Sequence, residues 1–148
     1  MGKKLKSLDE IGPLLEEFAN DILNASILET DSRIKEASPV DTGRFRNSWM
    51  IGENSEAGQP VPPGDYGDDI PPPVAINFTL GDAQIGNVYS IHNNLEYAEP
   101  VAYGTNLPPS WGGQYRTKQS VKPGFPDEVA KEMQAFVDQA ARRFRKSL

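Results

Sequence analysis

The stretch Ser38–Trp49 most constrains how this chain can fold, because it separates a long helical pattern from strand-like segments. Pro39 disfavours helical dihedrals in the residue before it and has no amide to donate, so a helix must end near it. Asp41 and Thr42 can accept hydrogen bonds from amides two residues further on, and Gly43 can adopt a positive φ. We therefore expect a structural turn at Pro39, Asp41, Thr42 and Gly43.

Two helices are predicted from the spacing of apolar residues. Before the turn, apolar residues recur at steps of three and four on one helical face: Leu8, Ile11, Leu15, Phe18, Ile22 and Ala25. A second stripe extends that helix to about residue 37: Leu23, Ile27, Ile34 and Ala37. Ser7 or Pro13 is the predicted start. Pro126, followed by two acidic residues, opens a trailing helix with its own stripe: Val129, Met133, Phe136, Val137, Ala140, Phe144 and Leu148.

Strand patterns lie between the two helices. Residues 45–54 predict a first strand, and residues 74–80 alternate between apolar and polar side chains over seven positions. The Gly81-Asp82 pair predicts a turn, after which residues 85–93 return as the antiparallel mate of 74–80. A short helical or turn segment over 94–105 is expected to stop at Gly104.

Two long loops, at about 55–73 and 106–124, are rich in proline and glycine, which excludes helix interiors and central strands there. The predicted fold is therefore α+β. A small antiparallel sheet of three to four strands packs against a long N-terminal helix and a C-terminal helix. The length of 148 residues fits one domain over 1–148.

Charge and composition exclude several classes of function. The net charge is −6, and no Lys or Arg occurs between Asn47 and Tyr115, so tight nucleic-acid binding by the whole domain is disfavoured. The chain has no cysteine, which excludes disulfides and thiolate metal sites. No apolar run reaches the length of a signal peptide or membrane span, so a soluble, non-secreted protein without a membrane partner is expected.

Catalytic chemistry has one candidate, the triplet Asp41-Thr42-Gly43, which also occurs at the active site of aspartic proteases. Those enzymes need two carboxylates that share a proton, and this chain has no second triplet, while Arg44 would keep the carboxylates ionised. His92 is the only histidine and is interpreted as structural. Asp65, Asp68 and Asp69 lack the spacing of a calcium loop. We expect no enzyme activity, no metal and no cofactor.

Three short segments, with their order and spacing, resemble one protein family. Pro39-Val40-Asp41-Thr42-Gly43-Arg44-Phe45-Arg46-Asn47-Ser48-Trp49 is followed by Asn93-Asn94-Leu95-Glu96-Tyr97-Ala98 and then by Tyr103-Gly104-Thr105. This arrangement is similar to that of the tail-component family of tailed double-stranded DNA phages, whose members are called tail-completion, tail-terminator or neck proteins. Phe45 stands where that family usually has Leu, and the loop at 55–73 is longer than the family pattern implies.

The resemblance implies a non-catalytic ring subunit, commonly a hexamer, at the junction between the head connector or stopper and the tail tube. It implies assembly in the host cytoplasm and localisation in the virion tail or neck. DNA would pass through the ring without specific binding. The candidate subunit-interface residues are Arg44, Arg46, Trp49, Tyr97, Tyr103, Trp111 and Tyr115. Core packing is the alternative for each of them, and for Trp49 the two roles are equally favoured.

An acidic ring lumen would repel the phosphates of passing DNA. The candidate channel-facing residues are Glu53, Glu56, Asp65, Asp68 and Asp69. The alternatives are a generic protein-interaction module of another assembly and, least favoured, a hydrolase that uses Asp41.

Overall fold

The computed structural model describes residues 10–39, 43–64, 66–113 and 123–147. Its elements follow in the order α1 (Ile11–Ala37), α2 (Arg44–Asn47), β1 (Trp49–Glu53), β2 (Tyr89–Asn93), α3 (Ala98–Tyr103), a 3-10 turn (Pro109–Trp111) and α4 (Phe125–Ser147). The fold is α+β, as predicted: a long N-terminal helix and a C-terminal helix accompany a small antiparallel sheet.

Helix α1 ends at Ala37, where Ser38 turns to an extended conformation (ψ 139°) before Pro39. The helix buries Ile27 and Ile34, which belong to the second predicted stripe. The first stripe is only partly correct, because Leu15 is 48% exposed. Towards the start of α1, Phe18 stacks on Phe144 of α4, with ring centroids 3.5 Å apart. Leu8 and Leu148 lie outside the described residues.

Helix α4 agrees closely with its prediction. Pro126 is its second residue, and Asp127 and Glu128 occupy the first turn, where carboxylates favour the positive end of the helix dipole. Val129 and Met133 are buried in the main core with Ile34, Phe45 and Trp49. The contact between α1 and α4 therefore forms one wall of the core.

The sheet has two strands among the described residues, not the predicted three or four. β1 pairs with β2 in an antiparallel register that places Trp49 opposite Asn93 and Ile51 opposite Ile91. The prediction that 85–93 pairs with 74–80 was therefore wrong. The first strand is also shorter than predicted, because residues 44–47 form a helical turn after Gly43.

Residues 74–80 form a strap across one edge of the sheet instead of a strand. Ala75 adopts a positive φ of 57°, which breaks the extended conformation, and Val74 makes only an isolated bridge with Gln59. Asn77 donates from Nδ2 to the Glu53 carbonyl at 3.0 Å and accepts the Glu53 amide at 2.9 Å. A side-chain amide thus takes the hydrogen bonds that a third strand would make to the end of β1.

The loop at 55–64 covers the face of the sheet that points away from α1. Met50 and Val61 are almost fully buried, and the Val61 amide donates to the hydroxyl of the equally buried Ser48 at 3.0 Å. His92 of β2 is buried as well, and its Nε2 lies 3.0 Å from the Ala57 carbonyl. Contacts within the protomer therefore account for the packing of this proline-rich segment.

Candidate functional site: an assembly surface

At the turn after α1, the described contacts are those of Gly43. Gly43 is buried with a φ of 88°, and a Cβ at this position would collide with the side chain of Ile70. Asn47 donates from Nδ2 to the Gly43 carbonyl at 2.8 Å. The prediction that Gly43 supplies a positive φ is confirmed. Asp41 and Thr42 lie outside the described residues, so their predicted role in the turn stays a prediction.

Arg44 and Arg46, two candidate interface residues, both bind backbone carbonyls of their own chain. Arg44 donates from Nε to the Val61 carbonyl at 2.7 Å, and its guanidinium lies over the ring of Tyr97 at 5.6 Å. Arg46 donates to the Ser38 carbonyl at 3.0 Å, at the C-terminal end of α1. Cations are favourable at that negative end of a helix dipole. Both side chains therefore tie loops and helix ends together within the protomer.

Trp49 lies in the core, with 7% of its surface exposed. Its ring meets Phe45 edge-on at 5.7 Å, and its indole Nε1 donates to the Ser38 hydroxyl at 2.8 Å. This is the core-packing alternative that the sequence left open, and it leaves the indole little surface to offer to another subunit.

The aromatic residues around α3 differ in exposure. Tyr97, which precedes the helix, packs partly buried against the main core, and so does Trp111. Tyr103 is 42% exposed, and its hydroxyl lies 3.4 Å from a carboxylate oxygen of Asp127. Partial burial and the Asp127 charge raise the pKa of Tyr103. Tyr103 thus offers the largest aromatic surface of these three, while Tyr115 lies outside the described residues.

Gly104 ends α3 as predicted, with a φ of 70°. Beyond it, the Glu99 carboxylate accepts hydrogen bonds from the Thr105 hydroxyl at 2.7 Å and from the Asn106 side chain at 2.9 Å. These bonds stabilise the charged form and lower the pKa of Glu99. The carboxylate therefore fixes the chain as it leaves α3.

The predicted channel-facing acids divide into one bonded residue and several exposed ones. Glu53 accepts the Tyr89 hydroxyl at 2.7 Å and is half-buried. Glu56 is exposed in the loop that covers the sheet, Asp68 and Asp69 are exposed further along the chain, and Asp65 lies outside the described residues. The exposed acids are free to present negative charge to whatever passes or binds that side of the protein.

Sequence reasoning missed an apolar surface on the segment 74–88, which we call the apolar arm. Its exposed large side chains are Val74, Ile76, Leu80, Ile85 and Val88. Phe78 and Ala83 of the same segment point inward and pack near Ile27. The alternation over 74–80 had predicted a strand, whereas most of the large apolar side chains of the arm remain at the surface. Where exposed apolar side chains form a contiguous patch, they mark interaction sites.

No metal-binding constellation is found among the described residues. They contain no group of three or more His, Asp or Glu side chains placed to hold a metal ion. His92 is placed between the Ser90 hydroxyl, 3.0 Å from Nδ1, and the Ala57 carbonyl, which is the structural role that the sequence predicted. None of the helices over the described ranges has a stretch long and apolar enough to cross a bilayer.

Comparison of the chain with protein-family models, with curated proteins and with solved structures gives no match.

Proposed function

We propose that this protein is a structural ring subunit at the head–tail junction of a tailed phage, where it completes or caps the tail tube and joins it to the head connector. The observation that carries the proposal is the ordered set of motifs from Pro39 to Thr105, which, together with the helices before and after it, resembles that phage family. The arrangement of helix, turn, strands, short helix and trailing helix is compatible with it.

The surface chemistry supports a role in assembly. The apolar arm exposes five large apolar side chains that a subunit contact would bury. Tyr103 adds an exposed aromatic ring, the kind of side chain that is enriched at interfaces. The proposed partners are further copies of the chain in a ring, commonly a hexamer, together with the head connector or stopper and the tube protein.

Three exposed acidic residues have a role in this proposal. Glu56, Asp68 and Asp69 are exposed, and the chain from residue 48 to 114 holds no cation to offset them. If this side faces the channel, its charge repels DNA phosphates at close range and keeps the passage free of sticking. A ring structure that places these three residues on the outer wall would refute this part of the proposal.

Virions assembled without the protein test the function. The proposal predicts tails of irregular length, or heads and tails that remain unjoined, and the two results distinguish a terminator from a neck protein. Normal virions in normal yield would contradict it. The variant Asp41→Asn tests the hydrolase alternative. We expect the variant to assemble as the parent protein does. A peptide-cleaving activity that is present in the parent and lost in the variant would support the hydrolase alternative.

A second candidate, an interaction module of a different assembly, is favoured by the apolar arm alone, because that surface suits any protein partner. Complementation separates the two candidates. The phage proposal predicts that the purified protein restores joining or tail length in extracts that lack it, and the alternative predicts no effect.

A further inference from the structure

One edge of β2 pairs with β1, whereas the other carries backbone groups that no described residue bonds. The Asn54 amide donates to the Val88 carbonyl at 2.7 Å. Asn54 and Val88 are thus a hydrogen-bonded pair that continues the register of β1 and β2 by one residue. In an antiparallel ladder, hydrogen-bonded residue pairs alternate with pairs that are not hydrogen-bonded. The backbones of Ser90 and His92 therefore bond to β1. The N–H and C=O groups of the alternate residues point outward: Tyr89, Ile91 and Asn93. Within the described part of the chain, no group bonds to those outward positions.

The two edges of the sheet are treated differently. On β1, the Asn77 side chain occupies the outward N–H and C=O of Glu53. On β2, the sequence Tyr-Ser-Ile-His-Asn contains no Lys, Pro or acidic residue, which are the usual means of preventing edge pairing. Val88, which directly precedes the strand, is 71% exposed. The edge of β2 is therefore open, unprotected and next to an apolar side chain.

We propose that the outer edge of β2 pairs with the β2 edge of a second copy of this chain, antiparallel about a two-fold axis at Ile91. The strand is complementary to itself in this register. Ile91 faces Ile91 of the second copy, and Tyr89 faces Asn93 of the second copy. The outward N–H groups of each strand therefore lie opposite outward C=O groups of the other. The result is a continuous four-stranded sheet that spans two copies.

The self-complementary register points to a second copy as the occupant, and the charge distribution allows it at this edge. The chain carries a net charge of −6, so two copies repel each other over most of their surface. The β2 edge holds no carboxylate, and pairing there opposes Ser90 with His92 of the second copy without bringing like charges together. The uncharged edge is where copies can approach closely.

The size of the contact sets the expected affinity. A strand of five residues with Val88 beside it buries less than the roughly 800 Å² per partner of a standard stable interface. We therefore expect a reversible dimer with a dissociation constant of about 10 μM to 1 mM.

This contact goes beyond the proposed ring. A ring with cyclic symmetry alone uses head-to-tail contacts, whereas a two-fold contact joins free subunits or two rings stacked face to face. The proposed edge pairing and the proposed ring can therefore be tested independently of each other.

Amide hydrogen exchange, followed by NMR over a concentration series from about 10 μM to 1 mM, tests the pairing on the unmodified protein. The Ser90 and His92 amides should be protected at every concentration, because they bond to β1. The Tyr89 and Ile91 amides should exchange fast in dilute samples and slowly in concentrated ones, in step with the mass measured by sedimentation equilibrium.

A matched pair of variants tests the edge, and because Ile91 also packs against the core, the fold of each variant is checked. Ile91→Pro deletes an outward amide that the β1 ladder does not use, and Pro is tolerated on strand edges. It removes a hydrogen bond from each side of the two-fold axis, so dimerisation should weaken at least about tenfold. Ile91→Val keeps the amide and a β-branched side chain and should dimerise as the parent does. Protection of Ser90 and His92 reports whether each variant is folded.

Several results would overturn the pairing. One is fast exchange of the Tyr89 and Ile91 amides at every concentration. Another is protection of them without an increase in mass, or only after a different protein is added. If rings assemble while these amides stay unprotected, the edge pairing is wrong and the proposed function stands. If the dimer forms but no ring is ever found, the pairing stands and the ring is wrong.

Discussion

The indole Nε1 of Trp49 donates to the Ser38 hydroxyl at 2.8 Å, and that hydroxyl in turn donates to the Ile34 carbonyl at 2.6 Å. Both side chains are buried. A single hydroxyl thus connects the last turn of α1 to the first residue of β1, across the segment where helix gives way to sheet. This link between helix and strand requires a side chain at position 38 that both donates and accepts a hydrogen bond.

Ser38→Ala is expected to lower the free energy of unfolding by about 1–3 kcal/mol, because it leaves the buried indole N–H without an acceptor. Urea denaturation measures the change. Ser32→Ala, an exposed position on the same helix, is the control and should be neutral or slightly stabilising. Equal losses in the two variants would show that the Trp49–Ser38 bond does not contribute.

Val61→Ala tests whether the covering loop is part of the core. The substitution removes fully buried methyl groups and should lower the free energy of unfolding by about 2 kcal/mol, and limited proteolysis should cut the loop faster. Val74→Ala makes the same chemical change at a position that is 61% exposed, and it should change stability little. A neutral Val61→Ala would mean that the loop packs loosely.

Asn77→Ala tests the strap at the β1 edge. The variant removes the side chain that bonds to the Glu53 amide and carbonyl and to the Ser55 hydroxyl. These bonds are exposed, so the expected loss is about 0.5–1.5 kcal/mol, together with faster hydrogen exchange at the Glu53 amide. Asn87→Ala, in the same region, should leave that amide protected. Unchanged exchange in Asn77→Ala would contradict the assigned role of the side chain.

Much of this architecture could be predicted from the sequence, since helix signals are local. Apolar spacing located α1 and α4, Pro39 located the end of α1, and Gly104 marked the end of α3. The strap at 74–80 could not be predicted, because alternation does not reveal a positive φ at Ala75 or a side chain that replaces a strand.

The candidate site was less predictable than the fold. The carbonyl that Arg44 binds lies seventeen residues away in sequence, and no local pattern encodes that pairing. The open edge of β2 likewise depends on which strand is its neighbour, which the alternation at 74–80 misidentified.

Stability at low pH should depend on Glu99. Hydrogen bonds from Thr105 and Asn106 lower its pKa in the folded protein, so its contribution to stability is present above the ordinary carboxyl pKa of Glu. That contribution is lost as the pH falls through the lowered pKa. Thr105→Ala should raise the pKa of Glu99, as followed by NMR titration of its side-chain carboxyl. Thr79→Ala, an exposed control, should not, and an unshifted Glu99 in Thr105→Ala would contradict the hydrogen-bond explanation.

Native mass spectrometry of the purified protein, combined with electron microscopy of the same sample, tests the proposed function most directly. The proposal predicts closed rings whose mass is a whole multiple of the 16.3 kDa chain, with an axial channel wide enough for duplex DNA. A protein that stays monomeric at every concentration, alone and with purified tails, would contradict it.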